Sequence, residues 1–249
     1  MRKMLIGGNW KMYNGVKETA NFAKEIKEKK FSANGVDVFV APPFTSIPEA
    51  IRSFKDTGIS IGAQNLFWED KGAYTGEISP LFLKELGVEW VIIGHSERRT
   101  YFGETNATVR KKVEKALKEG LKVVLCIGET ERERDEGKTK EILNIQIEEA
   151  LLGIEYIPEN LAIAYEPVWA IGSGKTPHPE EAEEMHSLIR EKLGNKGEKV
   201  RIIYGGSVKT HNIREFISKK NIDGALIGGA SLEVNGFIEM VNIAKEIRC

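Results

Sequence analysis

The sequence predicts a single (β/α)8 barrel, an α/β fold in which eight parallel strands alternate with helices around a closed sheet. Its length of 249 residues is close to the ~250 residues typical of such barrels. Short β-rich runs alternate with amphipathic stretches along the whole chain, and neither a long linker nor a low-complexity segment interrupts them. An open, doubly wound sheet is the alternative, but eight repeated β–α pairs favour closure. We therefore expect one barrel domain over residues 1–249.

Eight runs have the composition of buried parallel strands, because they are apolar almost throughout rather than alternating. They occupy residues 4–9, 37–41, 59–63, 90–94, 121–127, 161–165, 200–204 and 224–228. Residues 16–30 and 138–152 place apolar side chains at helical spacing. The apolar face is expected to contain Val16, Ala20, Ala23 and Ile26 in the first helix, and Ile142, Ile145, Ile147, Ala150 and Leu151 in the second.

Helix boundaries can also be predicted from single residues. Thr105 or Asn106 is expected to cap the helix that contains Val109, since a side-chain oxygen at that position accepts a bond from an unpaired backbone N–H. Pro179 suits the first turn of a later helix, where its missing N–H has no cost. The run 129–136 mixes both signs of charge and is expected to form the solvated start of a helix.

Composition excludes several classes of protein. Lys and Arg total 36 against 37 Asp and Glu, a formal net charge of −1, so no basic face for nucleic acid is expected. No apolar stretch approaches the ~20 residues of a membrane span, and residues 1–6 are too short for a secretion signal. Two cysteines, Cys126 and Cys249, make no disulfide framework, which favours the cytoplasm. Neither metal-ligand spacing nor a dinucleotide-binding glycine pattern occurs, so we expect no metal and no organic cofactor.

One carboxylate stands where a barrel enzyme needs a base. Glu166 directly follows the predicted strand 161–165, and the carboxyl ends of barrel strands form the active face. Residues 167–177, called the lid segment below, have stiff residues at both ends and small ones near the middle. A strand-end carboxylate beside a hinged connection indicates proton transfer under a lid. The alternative is an exposed turn glutamate beside an ordinary loop.

Other strand ends carry further polar groups. Asn9 and Lys11 follow the first strand and His95 follows the fourth, while glycine pairs follow the seventh (205–206) and eighth (228–229). Glycines let backbone N–H groups approach an anion, and this corner of a barrel is the usual phosphate site. Each feature also has a purely structural interpretation: a chain turn, a surface lysine or a hydrogen-bonded histidine. Three other histidines lie in helical contexts and are interpreted as structural: His178, His186 and His211.

Three functions are compatible with this set of residues. The leading hypothesis is removal of a proton next to the carbonyl of a small phosphorylated sugar, with Glu166 as base and the other groups stabilising the enediolate. A Schiff-base aldolase with Lys11 as nucleophile is the second. A catalytically silent barrel that only binds phosphorylated ligands is the third.

Eight segments, in order along the whole chain, resemble the triosephosphate isomerase family, whose fold is the TIM barrel. The resembling residues are 8–12 (GNWKM), 63–65 (AQN), 72–77 (GAYTGE), 94–99 (GHSERR), 126–129 (CIGE), 165–172 (YEPVWAIG), 204–207 (YGGS) and 228–232 (GGASL). The resemblance implies cofactor-free interconversion of dihydroxyacetone phosphate and glyceraldehyde 3-phosphate, in glycolysis and gluconeogenesis.

The resemblance also implies residue roles. Glu166 is then the base, His95 a neutral electrophile, Lys11 the stabiliser of negative charge and Asn9 a hydrogen-bond partner of the substrate. Ser96 and Glu97 resemble partners that orient Glu166 and Lys11, and Cys126 resembles a packing residue rather than a nucleophile. The implied phosphate-binding residues are Gly172, Ser173, Ser207, Gly228 and Gly229.

Finally, the resemblance implies a homodimer in which residues 64–77 insert into a neighbouring subunit. Thr75 then lies near the neighbour's active site and Glu77 pairs with the neighbour's Arg98. Independently of the family, a connection of this length is unusual in a compact barrel and indicates function. Three departures from the family pattern are Tyr13, Ser173 and Pro177; the proline fixes φ at the second hinge of the lid segment and is expected to affect the rate of closure.

Overall fold

The computed structural model describes residues 2–172 and 175–247. Eight parallel strands close into a barrel in chain order, which confirms the predicted fold class. The strands are β1 Met4–Asn9, β2 Val36–Ala41, β3 Ile59–Ala63, β4 Trp90–Ile93, β5 Lys122–Ile127, β6 Leu161–Tyr165, β7 Arg201–Tyr204 and β8 Gly224–Ile227. All eight predicted strands are present, with ends shifted by at most one residue.

Helices surround the barrel. In chain order they are α1 Val16–Glu28, α2 Ile47–Ser53, α3 Pro80–Leu86, α4 Ser96–Phe102, α5 Asn106–Lys118, α6 Glu131–Asp135, α7 Thr139–Leu151, α8 Pro179–Lys192, α9 Ile213–Ile217 and α10 Val234–Ile247. Within the described part of the chain, no helix is long and apolar enough to cross a membrane.

The predicted helix signals are present in the structure. Thr105 caps α5 by accepting a hydrogen bond from the backbone N–H of Thr108, which satisfies one of the unpaired donors at the start of the helix. Pro179 is the first residue of α8, where its fixed φ is already helical. At the end of α3, Gly87 adopts a left-handed conformation (φ 91°) that glycine adopts without strain.

Two expected core residues are exposed. Val16, at the start of α1, and Ile145, in the middle of α7, expose 49% and 39% of their surfaces. The buried face of α7 instead contains Leu143, Gln146, Ile147 and Ala150. With 3.6 residues per turn, Ile145 lies about 150° around the helix axis from the centre of that face. The prediction was wrong there because apolar content was counted without its angular position.

The barrel interior is filled by side chains rather than open. Phe39 and Trp90 stack at its centre with ring centroids 5.4 Å apart, and small residues such as Ala162 and Ala164 complete this inner cluster. A second, larger cluster fills the space between the strands and the helices. Because the interior is packed, ligands have access only at the two ends of the barrel.

Buried polar groups fix the amino-terminal end of the barrel. The Asp223 carboxylate is fully buried and accepts hydrogen bonds from the Arg2 Nε, from the Arg190 guanidinium and from the backbone N–H of Ile202. Nearer the other end, beside the Tyr165 and Tyr204 rings, His186 is also fully buried, with Nδ1 2.7 Å from the Ala182 carbonyl oxygen. Burial lowers the pKa of His186 to about 4, so this histidine is neutral at neutral pH.

Candidate active site

A cavity of about 340 Å³ lies at the carboxyl-terminal ends of the strands and opens to solvent. It brings together the strand-end residues that the sequence singles out. Its lining includes Asn9, Lys11, His95, Glu166, Gly172, Ser207, Gly228 and Gly229. Ser173, the remaining predicted substrate-binding residue, lies outside the described residues.

Glu166 is placed by the register of three adjacent strands. Tyr165 on β6 pairs with Ile127 on β5 and with Tyr204 on β7, so the residues that follow these three strands also lie side by side. A Cβ atom on Gly205 would lie 2.8 Å from the Glu166 Cγ, which explains why a glycine follows β7. The Glu166 carboxylate is therefore enclosed, and its side chain exposes only 2% of its surface.

The two oxygens of this carboxylate have different environments. Oε2 accepts a hydrogen bond of 2.9 Å from the backbone N–H of Ser96. Oε1 is 3.3 Å from the Nε2 of His95 and has no hydrogen-bond partner among the described residues. A buried carboxylate oxygen without a partner is costly in a folded protein, so Oε1 is the oxygen available to a ligand in the cavity.

His95 is oriented by the helix that it caps. Its Nδ1 accepts a hydrogen bond of 3.2 Å from the backbone N–H of Glu97, at the start of α4. An accepting Nδ1 requires the neutral tautomer with the proton on Nε2. The ring thus presents an N–H donor on its Glu166 side.

Lys11 is held in position from three directions. Its ammonium forms an ion pair of 2.6 Å with the Glu97 carboxylate, and its backbone N–H donates to the Asn9 side-chain oxygen at 3.1 Å. Lys11 also adopts a left-handed conformation with φ 51°, which is strained for a residue with a side chain. The Gln64 side-chain amide donates to the Lys11 carbonyl at 2.7 Å and to the Ala41 carbonyl at 2.8 Å.

Gln64 is the first residue of the connection 64–77 expected at a subunit contact, and its support of Lys11 was not predicted. Its contact with Lys11 spans 53 positions in the chain. A single uncharged side chain gives no signal of such a contact, and only the positive φ of Lys11 shows why the contact matters. Through this hydrogen bond, the residue that follows β3 stabilises the chain that follows β1.

Glu129 is buried beside the site, and its predicted exposure was wrong. It was expected in a solvated run, but it exposes only 1% of its surface. Its carboxylate accepts hydrogen bonds from the hydroxyl of Tyr165 at 3.2 Å and from the indole N–H of Trp169 at 2.7 Å. Burial raises the pKa of Glu129. The rest of the run behaves as expected, since α6 begins at Glu131 and its residues are largely exposed.

Cys126 lies in the inner cluster of the barrel and is fully buried. Burial, followed by the nearby Glu166 carboxylate, raises the pKa of its thiol well above the usual value. A thiol of this kind stays protonated and is a poor nucleophile. This environment agrees with the packing role that the sequence predicts. Cys249 lies outside the described residues.

The residues predicted for subunit contact lie at the edge of the site. Thr75 and Glu77 are exposed on the 64–77 connection. Arg98 lies on α4, where its Nε is 3.3 Å from the Glu104 carboxylate and its guanidinium covers the Phe102 ring. Both predicted roles, insertion of Thr75 and pairing of Glu77 with Arg98, involve a second copy of the chain.

A larger groove of about 720 Å³ lies at the opposite end of the barrel. Four of the five charged side chains that line it pair with one another, Lys3 with Asp37 and Lys122 with Glu89. The described residues contain no group of three or more His, Cys, Asp and Glu side chains arranged to hold a metal ion. The strand-end cavity is therefore the better candidate for chemistry, because its carboxylate, imidazole and ammonium converge on one space.

A packed (β/α)8 barrel with these three groups at its carboxyl-terminal face is an enzyme of the barrel class. Residues 4–244 match the family model described as triosephosphate isomerase. Three similar curated proteins carry that name: 49% identical from Carboxydothermus hydrogenoformans, 48% from Dictyoglomus thermophilum and 49% from Caldanaerobacter subterraneus subsp. tengcongensis. Each alignment covers 97% of this chain and 98–100% of the relative. The chain belongs to the triosephosphate isomerase family.

Proposed function

We propose that this protein interconverts dihydroxyacetone phosphate and D-glyceraldehyde 3-phosphate by proton transfer through an enediolate, without a cofactor. The observation that carries the proposal is the convergence of Glu166, His95 and Lys11 on one cavity of about 340 Å³, a volume suited to a small ligand. Family membership over nearly the full chain supports the same reaction.

Each of the three groups has a distinct part in the reaction. The Glu166 carboxylate removes a proton from the carbon next to the carbonyl, and the electrons of the broken C–H bond form the enediolate. The neutral His95 donates its Nε2–H to the oxygen that gains negative charge, and Glu166 then returns the proton to the neighbouring carbon. Lys11 stabilises the negative charge of the substrate and the enediolate, and Asn9 hydrogen-bonds the substrate oxygens.

The phosphate is proposed to bind where the ends of β7 and β8 meet the lid segment. Gly172, Ser207, Gly228 and Gly229 border this side of the cavity, and their backbone N–H groups suit an anion. We propose that Ser173 joins them when the lid segment closes. Closure excludes water, which protects the enediolate from losing phosphate.

An aldolase reaction is less well supported. A Schiff base requires the Lys11 Nζ to attack the substrate carbonyl, whereas this nitrogen is held in an ion pair of 2.6 Å with the Glu97 carboxylate. The silent-barrel hypothesis is disfavoured by the Oε1 of Glu166, which faces the His95 ring and has no hydrogen-bond partner in the part of the chain that the structure describes.

The test of the proposed activity is a coupled assay with glyceraldehyde 3-phosphate, in which dihydroxyacetone phosphate is followed by its reduction. We expect turnover in the presence of a metal chelator and without any added cofactor. Covalent trapping of substrate on Lys11 by borohydride, or phosphoglycolate binding without turnover, would contradict the proposal.

A homodimer is proposed because large apolar side chains are exposed beside the site. Met12 exposes 93% of its surface, Tyr101 74% and Phe102 68%, a patch that is unusual on a monomer. A second cavity of about 230 Å³ lies between this patch and the catalytic residues, bordered by Asn9, Lys11, His95, Arg98 and Phe102. We propose that residues 64–77 of a second copy fill it, with Thr75 near Asn9 and His95 and Glu77 paired with Arg98.

Shortening residues 65–77 is expected to give monomers of low activity, since the exposed patch loses its partner and the second cavity stays open to water. Sedimentation at several protein concentrations would measure the assembly, and the coupled assay its activity. Residues 153–159, in a connection that is not in the proposed interface, provide a control for shortening. A fully active monomer from the 65–77 variant would contradict the dimer proposal.

We further propose that residues 1–249 form one domain. In support, β1 pairs with β8 and α10 packs against β1 and β2, so the two ends of the described chain complete the same barrel. The proposed location is the cytoplasm, in support of which Cys126 is an unpaired, buried cysteine.

A further inference from the structure

A second lysine lines the substrate cavity in addition to Lys11. Lys209 lies in the connection after β7 and borders the cavity together with Ser207, Gly228 and Gly229, on the side proposed for the phosphate. Its side chain is exposed. Among the described residues, no carboxylate forms an ion pair with the Lys209 ammonium. This positive charge is therefore available to a ligand in the cavity.

The Asn212 side chain fixes the turn that carries Lys209. Its amide oxygen accepts a hydrogen bond of 2.8 Å from the backbone N–H of Lys209, and its amide nitrogen donates to the Ser207 carbonyl at 3.1 Å. The Lys209 carbonyl accepts hydrogen bonds from the backbone N–H groups of Asn212 and Ile213, at 3.2 and 3.0 Å. Because both backbone groups of Lys209 are bonded, its side chain extends into solvent from a fixed position close to Ser207.

The other charges of the cavity oppose an anionic ligand. The Lys11 ammonium is paired with the Glu97 carboxylate at 2.6 Å, which leaves the negative charge of Glu166 unbalanced. A phosphate ester carries a charge of about −1.5 to −2 at pH 7, so Glu166 repels it. Lys209 is the remaining cationic side chain among the described residues that line this cavity. Its charge balances that of Glu166.

A full charge acts at longer range than backbone dipoles do. The N–H groups of Ser207, Gly228 and Gly229 carry only partial charges, whose effect is confined to short distances. A full charge acts over about 8 Å in physiological salt. Lys209 is two residues after Ser207, so their Cα atoms are no more than about 8 Å apart. A phosphate bound at Ser207 is therefore within range of the Lys209 charge.

We propose that Lys209 is a specificity-determining residue that attracts the phosphate group of the substrate and strengthens its binding, with no part in proton transfer. This inference rests on the proposed function, because it assumes a phosphorylated substrate at the ends of β7 and β8. The phosphate does not change during isomerisation, so Lys209 stabilises the bound substrate and the transition state equally. Loss of such uniform binding raises KM and leaves kcat unchanged.

Lys209→Gln removes the charge and keeps a polar side chain. We expect kcat/KM for glyceraldehyde 3-phosphate to fall about 2- to 5-fold at low ionic strength, the range of an exposed ion pair, while kcat stays the same. Salt screens an exposed charge, so the difference from the unmodified protein should vanish at high ionic strength. Lys209→Arg keeps the charge and should behave like the unmodified protein. Steady-state kinetics in the coupled assay at several ionic strengths would measure these effects.

Glyceraldehyde, which has no phosphate, separates recognition of charge from damage to the site. Its conversion to dihydroxyacetone can be followed by nuclear magnetic resonance. The rate should be the same in Lys209→Gln and in the unmodified protein, because the neutral substrate has no charge for Lys209 to attract. A merely structural role of Lys209 would lower the turnover of both substrates.

The matched control is Lys220→Gln. It makes the same change of net charge at an exposed lysine near the opposite end of the barrel, where the Lys220 carbonyl accepts a hydrogen bond from the Arg2 guanidinium. It should leave kcat/KM unchanged at every ionic strength.

Three results for Lys209→Gln overturn the inference: an unchanged kcat/KM at low salt, a loss that persists in full at high salt, or an equal loss with glyceraldehyde. Each of them, in an unmodified protein that is active, contradicts this inference alone. An unmodified protein that does not turn over glyceraldehyde 3-phosphate contradicts the proposed function and, with it, the role of Lys209.

Discussion

Glu166→Asp is expected to lower kcat on the order of 100-fold or more while the KM changes little. The adjacent strands fix the backbone of residue 166. Because the aspartate side chain is one methylene shorter, its carboxylate lies farther from the substrate carbon. A displacement of about 1 Å from the reactive position has a cost of this order. Steady-state kinetics in the coupled assay, with the fold monitored by circular dichroism, would measure the effect.

Two further variants sharpen this test. Glu166→Gln keeps the length of the side chain but removes the base, and the loss is expected to lie in the range of about 10²–10⁴ typical of a general base. Glu159→Asp is the control for Glu166→Asp, because it shortens a glutamate side chain by the same methylene at an exposed position near the other end of β6. It should leave kcat unchanged. Turnover close to that of the unmodified protein in Glu166→Gln would remove Glu166 from the role of base.

Asp223→Ala is expected to destabilise the fold by about 3–5 kcal/mol, the usual cost of removing one partner of a buried ion pair. Arg190 exposes only 6% of its surface, so its guanidinium is left as an uncompensated buried charge. The Arg2 Nε and the Ile202 N–H lose the same acceptor. Denaturant unfolding at fixed protein concentration would measure the loss as a lower midpoint.

The matched control is Glu136→Ala, which removes an exposed carboxylate that pairs only with surface cations. It should leave the midpoint unchanged. Because Asp223 lies at the end of the barrel opposite the site, kcat per folded molecule of Asp223→Ala should remain close to that of the unmodified protein. A midpoint like that of the control would show that the buried network contributes little to stability.

Sequence was sufficient for the fold because two signals repeat eight times. Apolar β-rich runs predict parallel strands, and short connections leave a closed barrel as the simplest arrangement. The strand-end residues were predictable for the same reason: the end of a strand such as 161–165 is visible in the sequence, and Glu166 directly follows it. The position of a residue at the end of a strand can be predicted from its neighbours in sequence, without knowledge of distant contacts.

Other features depend on contacts that no local pattern encodes. Glu129 appears in a charged run, yet the phenol of Tyr165 and the indole of Trp169 satisfy its carboxylate and bury it. Gln64 donates a hydrogen bond to the carbonyl of Lys11, a residue with a positive φ. Burial of the Glu129 charge requires partners, and these lie 36 and 40 positions away, while Gln64 lies 53 positions from Lys11.

Roles that involve a second chain or a moving segment were predictable only through resemblance to the family. Thr75 and Glu77 are exposed in a single copy, and nothing in their residue types points to a partner. The contact of the Arg134 guanidinium with the Trp169 ring, 3.9 Å from its centroid, emerges only from the folded chain, since a helix of five residues has no distinctive pattern.

In the proposed reaction, one carboxylate moves a carbon-bound proton of a triose phosphate held beside His95 and Lys11. Nuclear magnetic resonance of the reaction in deuterated water tests it most directly, because a proton that passes through Glu166 exchanges with solvent. We predict deuterium on carbon in both the recovered substrate and the product, with the rate of incorporation reduced in Glu166→Asp in step with kcat. Interconversion with no deuterium on carbon, or incorporation unaffected by Glu166→Asp, would contradict the account.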